Sequence, residues 1–437
     1  MALITKAVRG TKDVLPAESH LYRYIENTAL ETARNFGFHE IRVPVFEHTE
    51  LFERGVGDTT DVVQKEMYTF EDKGGRSITL RPEGTAGVAR ACMENGLLND
   101  ALPCKVSYAF SCYRYEKPQA GRYREYTTFG VECFGAATPA ADAEVIALVA
   151  EFFSLLSLTD YRIELNSIGC PDCRKVYLDA LRAYFGAHVD ELCGTCHERL
   201  ERNPMRLLDC KSPVCGKFAA KAPVMADYLC GDCQTHFDTV QQLLRELDIF
   251  YTLNPRLVRG LDYYTRTVFE LVSEAESLDS NPVLGGGGRY DGLVEQLGGA
   301  AMPGLGFGLG IERILLHLQA IEAPMPEREA CELYIATRGD ESLAIAAKLA
   351  HELRAEGFSV QFDTMGRSLK AQMKYADKIG ANYTTVLGED ELSGGMLRLK
   401  HMADSAQQEL PLAGFAEAFA QQLIRQAQEE LQAWFNE

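Results

Sequence analysis

Arginines and carboxylates are concentrated in five short segments that are also rich in glycine and aromatic residues. Arginine suits polyphosphate because its planar fork makes two hydrogen bonds and keeps its charge. Carboxylates can hold an ammonium group or Mg²⁺, and glycine lets the backbone approach a flat ring or a phosphate. The segments therefore predict a pocket for a phosphorylated ligand and a cationic group. They are RPEGT (81–85), YRYEKPQAGRYREYTTFGVE (113–132), RGLDYYTRTVFE (259–270), GGGGRYDGL (285–293) and GLGFGLGIERIL (304–315).

Ordinary ion pairs between strands are the alternative for any one of these charged residues. Five such segments in one chain make that explanation poor for the set. The nucleotide signatures G-x-x-x-x-G-K-[ST] and a G-x-G-x-x-G after a strand do not occur, which argues against a P-loop or Rossmann site. G-x-S-x-G and H-E-x-x-H are missing as well, so the commonest hydrolase and metalloprotease signatures fail.

Eight of the 13 cysteines form four closely spaced pairs between residues 166 and 250. Pairs at this spacing can chelate tetrahedral Zn²⁺, and eight thiolates would supply two four-cysteine sites. Buried free thiols are the alternative, and the sequence leaves the pairing open. His197 and His236 follow cysteine pairs and could replace a ligand, although solvated surface is the simpler interpretation of both. The pairs are Cys170 and Cys173, Cys193 and Cys196, Cys210 and Cys215, and Cys230 and Cys233.

The elements that must position these residues begin with a helix over residues 19–36 that ends at Gly37. Hydrophobic and aromatic patterns then predict strands and helices in alternation, with helices only around the cysteines. Strands are predicted at 39–47, 77–80, 105–115, 124–134, 251–259 and 265–272, and helices at 140–156, 174–185, 235–247 and over GIERILLHLQ. We expect a domain formed by 1–166 and 251–325, interrupted by a helical insertion at 167–250.

A linker with proline and charge, residues 323–330, precedes a change of pattern. The strand ELYIATR, the helix ESLAIAAKLAHELRAEG, the strand FSVQF, the helix SLKAQMKYADKIG and the strand YTTVLG follow. Such a βαβαβ run implies a parallel sheet covered by helices. We expect residues 328–437 to form a separate α/β domain.

Composition narrows the class of protein. The chain has 437 residues and a net charge of −19, and no stretch reaches the roughly 18 apolar residues of a membrane helix. We therefore expect a soluble, cytoplasmic protein that makes no contact with a membrane and does not bind nucleic acid through bulk charge. A local basic site remains possible. Arg367, Lys370, Lys374 and Lys378 are spaced for one helix face, which could contact RNA phosphates or be a solvated surface.

The same segments resemble those of a known family. YRYEKPQAGRYREYTTFGVE is similar to motif 2 of class II aminoacyl-tRNA synthetases, Pro44 in IRVPVFE to the motif 1 proline, and GLGFGLGIERIL to motif 3. RGLDYYTRTVFE and GGGGRYDGL resemble the two signature peptides of histidyl-tRNA synthetases, and GRSLKAQMKYADKIGANYTTVLG resembles their anticodon-binding domain. The resemblance covers nearly the whole chain and implies an α+β fold. A mixed antiparallel-sheet catalytic domain would carry the helical cysteine-rich insertion and be followed by a C-terminal α/β anticodon-binding domain.

The resemblance implies activation of histidine by ATP and Mg²⁺, transfer to histidine tRNA, and a homodimer with motif 1 at its interface. Arg114 and Arg259 would contact the α-phosphate from opposite sides as catalytic residues, and Arg313 the γ-phosphate. Glu116 and Arg122 would hold the nucleotide, and Gln119 lies in the loop expected to meet the acceptor stem. The expected histidine-binding residues are Glu83, Gly84, Thr85, Thr128, Glu132, Tyr263, Tyr264 and Tyr290.

Two alternatives remain open at this point. A catalytically inactive paralogue, such as the regulatory subunit of ATP phosphoribosyltransferase, resembles the catalytic domain but normally lacks the arginine motifs and the C-terminal domain, and this chain has both. The second alternative is specificity for another amino acid or acceptor. It rests on Thr128, which stands where the family usually has glutamine, so its shorter hydroxyl replaces an amide expected to touch the substrate.

Overall fold

The computed structural model describes residues 5–57, 60–208, 210, 212–278 and 282–436. It divides the chain into two units, Met1–Pro326 and Glu327–Glu437. This division lies within the predicted linker at 323–330. The helical insertion is not separated from the first unit, so its boundaries at 167 and 250 stay a prediction. Within the described residues no helix is both long and apolar enough to cross a lipid bilayer.

The first unit is built around a mixed sheet that is eight-stranded in the described part of the chain, in the order β1-β5-β6-β11-β10-β9-β7-β8. Neighbouring strands are antiparallel except for the outer pairs β1·β5 and β7·β8. Strands β2, β3 and β4 form a smaller antiparallel sheet. The strands are β1 (His39–Glu40), β2 (Phe46–His48), β3 (Tyr68–Glu71), β4 (Ser77–Leu80), β5 (Cys104–Tyr113), β6 (Glu125–Phe134), β7 (Tyr161–Ser167), β8 (Thr252–Leu253), β9 (Thr265–Ser273), β10 (Val283–Arg289) and β11 (Gly304–Gly310).

Helices cover one face of the large sheet and form the insertion. The apolar core on that face joins Ile25 and Ala29 of the first helix to Val145 and Val149 of the fourth. The described residues of the insertion share a core with the sheet, since Tyr177 packs in the same cluster as Val106 and Val268. The helices are α1 (Ser19–Asn35), α2 (Thr49–Val56), α3 (Thr85–Glu94), α4 (Pro139–Leu155), α5 (Pro171–Gly186), α6 (Gly194–Arg202), α7 (Pro213–Ala219), α8 (Gly231–Glu246), α9 (Leu293–Gln296) and α10 (Ile311–Ala320).

The strand predicted at 39–47 is wrong as one element. It is two short strands, β1 in the large sheet and β2 in the small one. Between them the carbonyl oxygens of Val43 and Pro44 accept hydrogen bonds from the buried guanidinium of Arg81, at 2.8 and 3.2 Å. Pro44 also lacks the N–H that a ladder requires, so the pairing is interrupted here.

The strand predicted at 251–259 is also wrong for most of its length. Its second and third residues form β8, and the other described residues of the segment are not in a strand. Pro255 supplies no N–H, and the side-chain oxygen of Asn254 accepts the N–H of Arg256 at 3.0 Å. The N–H of Leu257 donates to the carbonyl oxygen of Asn254, also at 3.0 Å. These bonds make a turn that ends the strand.

The second unit confirms the predicted βαβαβ run. The central strand β12 lies between β13 and β14, and all three are parallel. An antiparallel hairpin, β15 and β16, and a long C-terminal helix complete the unit and were not predicted. The elements are β12 (Leu333–Thr337), α11 (Asp340–Ala355), β13 (Val360–Phe362), α12 (Leu369–Lys378), β14 (Tyr383–Leu387), α13 (Glu389–Gly394), β15 (Met396–His401), β16 (Gln407–Pro411) and α14 (Phe415–Asn436).

Candidate active site

The residues of strand β6 alternate between the helix-covered face of the sheet and the face that carries the site. Its residues Phe129, Val131 and Cys133 belong to the apolar core shared with α1 and α4. Since alternate residues of a strand point to opposite faces, Thr128 and Glu132 lie on the other side. The side chains that could do chemistry are therefore presented away from the core.

Strand β11 repeats this alternation with glycine. Leu305, Phe307 and Leu309 are in the core, and every alternate residue is glycine. Gly306 pairs with Glu132 across the two strands. A Cβ atom on Gly306 would lie 2.3 Å from a carboxylate oxygen of Glu132, closer than side chains approach. The glycines thus leave room for the groups on β6.

A cleft on this glycine-bearing face has an empty volume of about 980 Å³, counting its open mouth. Clefts in which polar groups converge are the usual sites of small-molecule ligands such as nucleotides. Eleven of the predicted site residues line it, namely Glu83, Gly84, Thr85, Arg114, Glu116, Arg122, Thr128, Arg259, Tyr263, Tyr264 and Arg313.

Three arginines give part of the cleft an excess of positive charge. Arg122 pairs with Glu116, whose carboxylate also lies 3.9 Å from Arg114. Arg313 donates a hydrogen bond to the carbonyl oxygen of Val283, and within the described residues no carboxylate lies within 4 Å of it. Burial and then the neighbouring charge of Arg122 lower the pKa of Arg313 to about 10. Such a cluster favours an anion with several charges.

Arg259 also lines the cleft and lies on the segment before β9. Its guanidinium is paired with Glu270 and lies 5.8 Å from the ring centroid of Tyr264. Its Nε has no hydrogen-bond partner among the described residues. A Cβ atom on Gly286 would lie 2.9 Å from Nη1 of Arg259, so the glycine strand β10 leaves this cation free access to the cleft.

Glu132 is fully buried beneath the cleft and accepts three hydroxyl hydrogen bonds. Thr85 Oγ1 and Tyr108 Oη donate to its Oε1, each at 2.8 Å, and Tyr290 Oη donates to its Oε2. Burial raises the pKa of Glu132 to about 8, although the three hydroxyl groups act in the opposite direction. The carboxyl group therefore titrates near physiological pH, which is typical of functional groups.

Glu83 is the second buried carboxylate of the site. Its two oxygens accept the N–H groups of Thr85 and Ala86 at 2.7 and 2.9 Å, which satisfies the first turn of α3. Burial raises the pKa of Glu83, whereas these backbone bonds lower it. Together with Glu132 it makes this end of the cleft suitable for a cationic or N–H-bearing group.

Two glycines hold the ring of Tyr108 beneath the site. A Cβ atom would lie 2.5 Å from the ring at Gly84 and 2.4 Å from it at Gly130. Either side chain would displace the ring and with it the hydrogen bond to Glu132. Gly84, which the family resemblance predicts to be a histidine-binding residue, is thus required for the packing of the site.

The eight paired cysteines form two clusters in the insertion. Within each cluster the sulfur atoms all lie within 4.8 Å of one another. Cys170 Sγ lies 3.5 Å from Cys173 Sγ, and Cys193 Sγ lies 3.9 Å from Cys210 Sγ. These separations are close to the roughly 3.8 Å edge of a tetrahedron with ~2.3 Å Zn–S bonds. The first cluster is Cys170, Cys173, Cys230 and Cys233, and the second is Cys193, Cys196, Cys210 and Cys215.

Comparison with known families agrees with this geometry. Residues 10–314 match the sequence model of a family described as histidyl-tRNA synthetase, and residues 332–422 match that of an anticodon-binding domain. The chain belongs to the histidyl-tRNA synthetase family.

Individual relatives extend the likeness over nearly the whole chain. A histidine–tRNA ligase of Acetivibrio thermocellus is 50% identical over 410 residues, which are 94% of this chain and 98% of that protein. One from Clostridioides difficile is 48% identical over 96% of this chain and all of that protein. The crystal structure of apo histidyl-tRNA synthetase from S. aureus is 39% identical, with a TM-score of 0.82 over 95% of this chain and all of that chain.

Two of the histidine-binding residues predicted for this synthetase lie behind the cleft rather than on its surface. Glu132 and Tyr290 are at most 1% exposed and are bonded to each other. Thr128, the residue that departs from the family pattern, lines the cleft on β6 and is buried. A side chain at Gly308 would come within 3.5 Å of its hydroxyl, so β11 leaves open space beside Thr128.

Four polar residues of the site were not predicted. Tyr108 donates a hydrogen bond to Glu132, and Glu270 forms an ion pair with Arg259. Tyr126 donates to the carbonyl oxygen of Pro82 at 3.1 Å. Glu312 accepts the N–H of Thr127 at 2.9 Å, and burial raises its pKa to about 7. A sequence signal existed for Tyr126, Glu270 and Glu312, which lie inside the quoted segments. For Tyr108 the signal was a polar aromatic residue in a buried strand.

The predicted RNA contacts are outside the cleft. Gln119 is exposed in a tight turn between β5 and β6, where its backbone pairs with Arg122. Lys370, Lys374 and Lys378 are exposed on α12. Arg367 precedes that helix instead of sharing its face, and it is bound to Asp363 at 2.8 Å. His236, expected at the surface, is buried 3.3 Å from Asp142.

Proposed function

We propose that this chain is a histidine–tRNA ligase. The observation that carries the proposal is one cleft, in a chain of this family, that combines a cluster of arginines with buried carboxylates, and whose Arg313 has no paired carboxylate among the described residues. In the first step a carboxylate oxygen of histidine attacks the α-phosphorus of ATP, and pyrophosphate leaves. In the second step a hydroxyl of the terminal tRNA ribose attacks the histidyl carbonyl, and AMP leaves.

The arginine end of the cleft is suited to the nucleotide. Arg114 and Arg259 would stabilise the charge that develops on the α-phosphate, and Arg313 would bind the γ-phosphate. Arg122 and Glu116, which are paired in the cleft, would hold the nucleotide near motif 2. Mg²⁺ would enter with ATP as part of the substrate.

The carboxylate end of the cleft is suited to histidine. Glu83 would bind the α-ammonium group, since it is a buried anion beside Thr85. Tyr263 and Tyr264 would line the imidazole pocket at the cleft surface, with Tyr290 and Glu132 directly behind them. A site that hydrogen-bonds both ring nitrogens rejects isosteres strongly, because the wrong side chain leaves buried polar groups unpaired. Thr128 would reach the substrate through water.

The deciding experiment is exchange of pyrophosphate into ATP, run with histidine and each other standard amino acid. Exchange with histidine alone is expected. Exchange with a different amino acid would refute the specificity, and Thr128 would be the first residue to examine. Silence with all amino acids would favour the inactive regulatory paralogue, which the presence of the anticodon-binding domain and the arginine motifs already disfavours.

The second unit would bind the anticodon region of histidine tRNA, with Lys370, Lys374 and Lys378 contacting phosphates and Arg367 adding charge beside Asp363. Gln119, exposed at its turn, would meet the acceptor stem. The working form would be a homodimer in the cytoplasm, where histidine tRNA is charged. No disulfide joins any of the cysteines that the structure describes.

The two cysteine clusters would each hold a structural Zn²⁺. Support comes from the sulfur separations and from the position of three pairs at helix starts, because Cys170, Cys193 and Cys230 immediately precede α5, α6 and α8. Helix N-termini favour thiolates, the form that binds metal. Metal analysis of anaerobically purified protein should give about two zinc ions per chain. Less than about 0.2 per chain would refute both sites.

A further inference from the structure

The peptide Arg259–Thr267, here called the signature peptide, has two sides. Arg259, Tyr263 and Tyr264 face the cleft. On the other side the peptide is in contact with the insertion, through hydrogen bonds of its backbone and of the side chains of Asp262 and Arg266. The placement of the cleft residues therefore depends on what lies behind them.

Arg174 makes the first of these contacts. It lies in the first turns of α5, and its Nη2 donates to the carbonyl oxygen of Tyr264. Burial lowers its pKa, and within the described residues no carboxylate pairs with it at 4 Å or less. A partly buried guanidinium without a paired anion is costly, so the bond to the peptide is a specific use of this side chain.

The backbone around Arg174 is bound to the same stretch of the peptide. The N–H of Arg266 donates to the carbonyl oxygen of Gly169 at 2.9 Å, and the N–H of Ile168 donates to that of Arg266 at 2.7 Å. Gly169 and Arg174 flank the first pair of the first cysteine cluster. The segment that begins α5 is thus fixed to the peptide immediately after Tyr264.

Arg206 makes the equivalent contact at the other end of the peptide. Its Nη2 donates to the carbonyl oxygen of Gly260 at 2.5 Å and lies 3.4 Å from Asp262. Asn203 adds a bond to Asp262 at 3.1 Å. Since Gly260 follows Arg259 directly, Arg206 holds the backbone from which the catalytic guanidinium extends.

We infer that the insertion positions the signature peptide through Arg174 and Arg206, and that these two arginines are positioning residues for histidine activation. Neither residue lines the cleft of the active site. Arg174 acts through Tyr264, and therefore on histidine binding. Arg206 acts through Gly260, and therefore on the placement of Arg259 at the α-phosphate. The inference rests on the proposed function, because it assigns effects on the histidine and ATP steps.

The test measures kcat and KM for both substrates by pyrophosphate exchange in Arg174→Ala and Arg206→Ala. Arg174→Ala should raise the KM for histidine about 10-fold and leave the KM for ATP within about twofold. Arg206→Ala should lower kcat by about 10- to 100-fold, because a displacement of a catalytic group by about 1 Å can cost about 100-fold. The changes in either KM should be smaller. Arg174→Lys should restore part of the histidine affinity because an ammonium group also donates to a carbonyl.

Arg182→Ala is the matched control, because Arg182 lies on the same helix, is exposed and pairs only locally with Asp179. It should leave every parameter unchanged. Unaltered kinetics in both Arg174→Ala and Arg206→Ala would overturn the inference. So would equal losses for both substrates accompanied by a large fall in Tm and no rescue by Arg174→Lys, since that pattern indicates general destabilisation. Absence of histidine exchange in the unaltered protein would instead refute the proposed function before any variant is compared.

Discussion

Replacement of Tyr290 by Phe tests how Glu132 is held. Tyr290 Oη donates to Glu132 and to no other described residue. The variant keeps the ring, which packs against Phe134 with a centroid separation of 6.2 Å, and removes only the donor. Because the hydroxyl stabilises the charged carboxylate, its loss must raise the pKa of Glu132 further.

The magnitude follows from the energy of one bond. A hydrogen bond to a charged group contributes about 1.5–3 kcal/mol, and one pKa unit corresponds to about 1.4 kcal/mol. Even the lower value moves the pKa of Glu132 from about 8 to roughly 9. At pH 7.5 the ionised fraction then falls from about one quarter to about 3%, a decrease of about eightfold. At pH 9.5 most of the groups are ionised in both proteins.

The assay is kcat/KM for histidine, measured by pyrophosphate exchange between pH 6.5 and 9.5, and expressed as the ratio of variant to unaltered protein. The ratio cancels the ionisations of histidine itself, and kcat/KM reports the free enzyme. It should be about one eighth at pH 7.5 and return toward one at high pH. Tyr113→Phe, which removes a hydroxyl 3.4 Å from exposed Glu125, should give a ratio near one throughout. A reduced ratio that does not change with pH would refute the assigned role of the Glu132 charge.

Three further predictions concern the division of labour in the chain. In the exchange assay, Arg313→Ala should raise the KM for ATP about 10-fold or more and leave the KM for histidine unchanged, because Arg313 lies in the arginine cluster. An equal change in both KM values would contradict a γ-phosphate role. Arg259→His should lower adenylate formation by roughly 100-fold with little change in Tm, and near-normal exchange rates would remove it from the reaction. A chain that ends at Pro326, where the first unit ends, should retain pyrophosphate exchange but lose most of its tRNA charging. Comparable losses in the two activities would refute the proposed role of the second unit.

The sequence was sufficient to predict most of the elements and eleven of the residues that line the cleft. The arginines and glycines that line the cleft were identified because these residue types are unusual on strands. The helices α1 and α4 and the βαβαβ run were predicted because their hydrophobic periodicity is strong. The two strand predictions that were wrong break down at Pro44 and Pro255. Near these prolines, hydrogen bonds to side chains replace the hydrogen bonds between strands. Tyr108 was missed because a tyrosine in a strand is ordinary until its partner Glu132 is known. The grouping of the cysteines depended on contacts between distant segments, which spacing alone does not determine.

The order of the strands has a consequence for the synthesis of the chain. Strand β6, which carries Thr128 and Glu132, has β11 as its second neighbour, and Gly304–Gly310 is translated only after the whole insertion. While the ribosome makes the intervening residues, one edge of β6 has no partner, and unpaired edges attract other strands. The nascent chain should therefore depend on chaperones until β11 has emerged. Codon choice and elongation rate over residues 135–303 would then affect the yield of active enzyme without any change in its sequence.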